Sequence, residues 1–146
     1  MTLGNGQEFL CMMLGERRCL IDYQYVVEIC SGMKISGLPG LPSCFCGICD
    51  YKGSLLPVVE GRVLEKGEVR KKKEMLLIVS FHNVRFGILA SGEAYIMPLQ
   101  GGEWVQPSAD RAAEENGLFR LFSKEGQIYY LIEIPKLIEI LSERPN

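Results

Sequence analysis

Three of the six cysteines in this 146-residue chain, Cys44, Cys46 and Cys49, form a C-x-C-x-x-C cluster. Thiolates at that spacing can reach one Zn²⁺ or an iron–sulfur cluster. A structural zinc needs a fourth ligand, and no second Cys or His pair follows. Cys30, Cys19 or Asp50 would serve only if folding brought one of them near. Acid–base or nucleophilic chemistry has less to work with. The lone histidine, His82, falls in an expected turn, and no serine or cysteine stands beside it as a nucleophile. Triads are assembled by folding, so only a local constellation is ruled out. No Gly-x-Gly-x-x-Gly or phosphate loop is present, so a nucleotide cofactor has no support. The expectation is a binding protein with neither enzymatic activity nor cofactor, with a cysteine-based metal or redox module as the alternative.

Docking chemistry is better represented. In Gly47-Ile48-Cys49-Asp50-Tyr51-Lys52-Gly53, two glycines are expected to bracket a polar turn, each free to take a positive φ. Asp50 and Lys52 place opposite charges on either side of Tyr51. Ser54 to Val59 follows with five apolar residues in six, the composition of a buried strand. Pro57 cannot donate to a ladder, which predicts an edge position or a bulge. An edge strand behind a charged turn is a place for another protein to dock.

The remaining elements must hold that corner in place. Glu8–Leu14 and Arg18–Asp22 predict a hairpin across Gly15-Glu16-Arg17, and Val26–Cys30 a short strand ended by Ser31-Gly32. Two Leu-Pro pairs between Met33 and Pro42 predict an extended loop. Ser43 could cap one helical turn running to Cys49. Residues 65–74, eight of them charged, predict a solvated loop. Met75–Phe81 and Val84–Ala90 predict a hairpin about His82-Asn83, broken by Ser91-Gly92-Glu93 before Ala94–Leu99 resumes. A short helix is expected from Ser108 to Glu115, then a hairpin of Leu118–Ser123 and Gln127–Ile132. Pro135 suits the start of a closing helix to Ser142, with Leu137, Ile138 and Leu141 on one face. Short strands with turns every eight to twelve residues predict a mostly β sandwich or barrel.

The totals agree with one domain over residues 1–146, with 1–7 a mobile start. A 47% hydrophobic content is globular, and a net charge of -2 gives no case for nucleic acid. No apolar run reaches the roughly 18–20 residues that span a bilayer, so no membrane insertion is expected. Residues 1–7 lack the charge and apolar core of a signal peptide, which leads to an expectation of a cytoplasmic protein with reduced thiols. Cys11, Cys19 and Cys30, set among apolar neighbours, read as small core residues.

The central stretch resembles the core motif of the CheW-like domains of bacterial chemotaxis, a Gly-x-Ile-Asn-Leu-Arg-Gly turn entering a Val-Val-Pro-Val-Val-Asp strand. Gly47, Ile48, Gly53, Pro57, Val58 and Val59 match, while Asp50, Tyr51, Lys52 and Glu60 replace Asn, Leu, Arg and Asp. Apolar patterns similar to the family's extend over nearly the whole chain, from Phe9–Leu14 to Tyr130–Leu141. The resemblance implies two small five-stranded, SH3-like β-barrels sharing a core, with a short helix and a C-terminal helix. It implies an adaptor that couples the cytoplasmic tip of a methyl-accepting chemoreceptor to a CheA-type histidine kinase, with a divergent paralogue serving another signalling assembly as a further alternative. Carried over, Asp50, Lys52 and Gly53 would border the receptor groove, with Val27 and Leu38 as apolar walls. It also implies that the cysteines of 44–49 stand where the family has apolar residues, and so act as small hydrophobes. Lys52 lacks the two-pronged contact of arginine, and Asp50 lacks the donor of asparagine.

Overall fold

The computed structural model describes residues 8–41, 45–60, 74–106 and 119–143. Among these residues ten strands and one α-helix follow in chain order: β1 Glu8–Leu14, β2 Arg17–Asp22, β3 Val26–Ser31, β4 Gly47–Tyr51 and β5 Ser54–Glu60, then β6 Glu74–Phe81, β7 Val84–Pro98, β8 Glu103–Trp104, β9 Phe119–Lys124, β10 Gln127–Ile132 and α1 Ile134–Glu143. The mostly β expectation holds. Strand pairing runs β3-β6-β7-β1-β2-β10-β9-β8, with β5 joining β7 in parallel and β4 attached to β5.

Three apolar clusters explain why several strands lack clean alternation. Leu10, Met12 and Leu14 of β1 face a central cluster, while Phe9 and Cys11 face a second one with Leu20 and Phe122. On β6, Met75, Leu77 and Val79 face the central cluster, and Leu76 and Ile78 face a third with Tyr51 and Val58. A strand buried on both faces reads as a continuous apolar run. The central cluster is therefore shared between the two sides of the molecule. Helix α1 closes it with Leu137, Ile138 and Leu141, as its apolar spacing predicts.

Several expectations need correction. The one-turn helix expected from Ser43 does not extend to Cys49: Gly47–Tyr51 is strand β4, paired with β5 from Gly47↔Val58 to Tyr51↔Ser54. Residues 43 and 44 lie outside the described residues, as do 1–7, 65–73 and the expected helix 108–115. Pairing with β5 and a bridge between Ser36 and Ile48 satisfy both sides of β4, which one helical turn could not do. The turn shrinks to Lys52-Gly53, with φ of 50° and 87°. Gly47 is needed for space instead: a Cβ there would lie 2.6 Å from the Ser36 carbonyl oxygen. Ser91-Gly92-Glu93 does not end a strand. β7 runs unbroken through it, and Gly92 at φ 80° turns its ladder from β6 to β1. Glu74, expected in the charged loop, already pairs with Ser91.

Pro57 sits where its missing N–H costs the hairpin nothing. Opposite it, Ile48 directs its N–H to Ser36 O at 2.8 Å, so Ile48↔Pro57 is a pair without a hairpin hydrogen bond. The prolyl nitrogen faces β7, and the parallel ladder with β7 begins only at Val58↔Gly87. The first half of β5 is thus unpaired on that side among the described residues, as an edge-compatible proline requires.

Candidate functional site

The β4–β5 hairpin delivers three of the five expected site residues to one tip. Asp50 is the last outward-facing residue of β4, and its Oδ1 accepts from the Gly53 N–H at 2.9 Å. That bond ties off the two-residue turn, in which positive φ at Lys52 and Gly53 matches the twist of the flanking strands. Lys52 projects from the tip with its side chain 75% exposed.

Two residues that sequence reasoning passed over complete the arrangement. Tyr51 has a buried ring in the third apolar cluster, and its hydroxyl donates to Glu28 Oε1 at 2.6 Å. Lys52 Nζ lies 3.6 Å from the same carboxylate oxygen and 5.3 Å from the Tyr51 ring centre. The Tyr51 hydroxyl, aided by Lys52, holds the Glu28 carboxyl below its ordinary pKa against the opposing pull of burial. In return the hydrogen bond to Glu28 raises Tyr51, and Tyr51 and Glu28 together raise Lys52. Near neutral pH the tip therefore carries a fixed anion, a neutral phenol and a fixed cation. An exposed ion pair of this kind adds little to stability but orients the ammonium. The signal for Tyr51 was its amphipathic character, an apolar body with a polar end that seeks a partner. Glu28 carried a weaker one, a single charge inside a β-branched run.

Val27 flanks Glu28 on β3 and is 44% exposed. It is the extra residue where the β3–β6 register slips between Val26↔Val79 and Glu28↔Ile78. A bulge re-aims a side chain, and this one leaves an apolar group at the surface beside the Glu28–Lys52 pair. Leu38 is also exposed, at 50%, but stands apart. It lies two residues beyond Ser36, which bridges Ile48 at the far end of β4. Lys52 is four residue steps along the chain from Ile48, about 13 Å. The structure thus groups Val27, Asp50, Lys52 and Gly53, and leaves Leu38 near the opposite end of the hairpin.

The described cysteines are arranged as packing. Cys49 is buried in the third cluster, and Cys30 and Cys46 pack against it. Burial, the largest cause in each case, raises the Cys11, Cys30 and Cys49 thiols, which disfavours the thiolate a metal or redox site needs. Among the described residues no three His, Cys, Asp or Glu side chains are grouped to hold a metal. Cys44 lies outside them. His82 occupies its expected turn, with its ring 4.1 Å from that of Phe81. Among the described residues, no helix is long and apolar enough to cross a membrane.

Comparison with known proteins places this geometry in context. The model of the CheW-like domain matches residues 8–142. Protein FrzA of Myxococcus xanthus is 35% identical over 65 residues, which cover 44% of this chain and 41% of that protein. The chemotaxis protein CheW of Klebsiella aerogenes is 24% identical over 137 residues, covering 91% of this chain and 82% of that protein. The solved structure of the scaffolding protein TtCheW from Thermoanaerobacter tengcongensis superposes with a TM-score of 0.71 at 16% identity, covering 92% and 91% of the two chains. That likeness is one of fold. The family model spans every described strand and the helix up to Ser142, and on that ground the chain belongs to the CheW-like domain family.

Proposed function

We propose that this protein is a non-enzymatic adaptor in a bacterial chemotaxis assembly, acting as a single domain in the cytoplasm. Its partners are a CheA-type histidine kinase and the cytoplasmic tip of a methyl-accepting chemoreceptor, a coiled-coil helix pair. One observation carries the reading: within a CheW-like chain, an exposed hairpin tip presents an oriented cation beside an outward-turned apolar residue. Lys52, braced by Tyr51, pairs with Glu28, the residue that follows exposed Val27 in β3. An apolar contact supplies affinity for the face of a helix, while a rim charge sets register and the rate of encounter. Lysine in place of the family's arginine offers a point charge rather than a planar fork, so contact with one receptor oxygen is expected. Asp50 and Gly53 hold the turn that aims it. Leu38, exposed and away from the tip, would supply a separate apolar contact.

Binding assays against a receptor-tip fragment and a CheA-type kinase test the proposal directly. Lys52→Glu puts a second anion against Glu28, and is expected to weaken receptor binding about tenfold while the thermal midpoint stays unchanged. Failure of the unmodified protein to bind either partner refutes the adaptor reading. Unchanged affinity in Lys52→Glu removes Lys52 from the contact.

A further inference from the structure

On the face of the β4–β5 hairpin away from Tyr51, the structure holds an apolar cleft of about 210 Å³. Phe45, Pro57, Val84, Phe86, Ile138 and Leu141 line it, with Arg85 and Ser142 at its rim. Its cause is the proline. The β5–β7 ladder stops at Val58↔Gly87, and the next donor back along β5 is the one Pro57 lacks. The strands part there, and the opening is walled by α1.

The same face carries a matching projection. Residues two apart on a strand share a face, so Leu55 lies on the Pro57 side of β5, about 7 Å further along. Leu55 is 68% exposed, the most exposed of the large apolar side chains among the described residues. Directly across the hairpin stands exposed Asp50, paired in register with Leu55. Asp50 uses one oxygen on the Gly53 N–H. Arg85 is exposed and has no ion-pair partner among the described residues. An apolar knob beside an anion therefore adjoins an apolar socket beside a cation.

From this we infer that the face is a self-complementary interface between two copies of the chain. A two-fold axis places Leu55 of each copy in the other's cleft and pairs each Asp50 with the other's Arg85. An isologous contact of this kind uses one patch twice, and closes at the dimer. The buried leucine supplies the affinity, and the two charge pairs fix the register. The inference does not depend on chemotaxis partners, and its failure leaves kinase and receptor binding to their own assay.

Sedimentation velocity over micromolar to millimolar concentrations reads the outcome. The unmodified protein is expected to pass from monomer to dimer. Leu55→Asp and Arg85→Glu each raise the dissociation constant at least about tenfold, and because both side chains are exposed, circular dichroism and the thermal midpoint stay as they were. Asp50→Asn, which keeps the oxygen that accepts from the Gly53 N–H but loses the charge, is expected to weaken the dimer without loosening the turn. A protein that stays monomeric throughout overturns the inference. So does a dimer indifferent to Leu55→Asp, since its interface then lies elsewhere.

Discussion

Gly47→Ala isolates the close contact on which the β4 corner is built. A Cβ at residue 47 would lie 2.6 Å from Ser36 O and 2.8 Å from Ile35 Cγ2. The isoleucine methyl can swing aside, but the carbonyl is held. It accepts the Ile48 N–H at 2.8 Å, while the Ser36 N–H returns to Ile48 O at 2.9 Å. Moving the oxygen out to ordinary carbon contact shifts it by roughly half an ångström or more, and stretches both bonds of the bridge toward the limit at which they count. Each is worth about 0.5–1.5 kcal/mol net. Against a loss of about 1–3 kcal/mol stands a gain of about 0.4–1 kcal/mol from the stiffer unfolded chain. The balance is a destabilisation of about 1–2 kcal/mol. For a chain of this size that is a fall of roughly 3–8 °C in thermal midpoint. Calorimetry gives the midpoint, and hydrogen exchange at the Ser36 and Ile48 amides gives the mechanism, since both should lose protection. A midpoint within a degree of the unmodified protein, with both amides still protected, refutes the argument.

Three further outcomes follow from the described packing and charges. The Glu28 carboxyl is held below its ordinary value, so it adds stability above the unfolded pKa that is lost as pH falls through the lower folded value. Tyr51→Phe removes the main cause, and should flatten the acid limb of a plot of urea midpoint against pH; an unchanged limb discounts the bond. Leu137→Ala empties a site only 1% exposed in the central cluster, and should cost about 2–5 kcal/mol in urea unfolding. A cost below about 1 kcal/mol would mean that α1 does not seal that core. Because burial raises the Cys11, Cys30 and Cys49 thiols, iodoacetamide at mildly alkaline pH should label them far more slowly in the folded protein than in urea, read by peptide mapping. Rapid folded-state labelling of Cys49 would reopen the redox alternative.

Much of this architecture was legible where residue type forces local geometry. Gly15-Glu16, His82-Asn83 and Glu125-Gly126 each close a hairpin at the position their chemistry suggests. Pro135 and the spacing of Leu137, Ile138 and Leu141 marked α1 within a residue of its ends. What misled was local chemistry read without its tertiary neighbour. A glycine looks the same whether it is needed for φ or for room, and only the Ser36 carbonyl shows that Gly47 is needed for room. A Ser-Gly-Glu triplet suggests a break, but β1 on one side of Gly92 and β6 on the other turn it into a bend. At the tip, Asp50, Lys52 and Gly53 were legible as turn chemistry. Their partner was not: Glu28 is 24 residues from Lys52, and nothing local announces a contact between them.

The uninterrupted course of β7 has its own consequence. Its first half completes the ladder of β6 and its second that of β1, so neither side of the molecule owns a full set of neighbours. A chain severed at Gly92 would yield two pieces, each with a raw flank that only the other can cover. Mixed, they should reassemble; alone, each should aggregate along the bared rung.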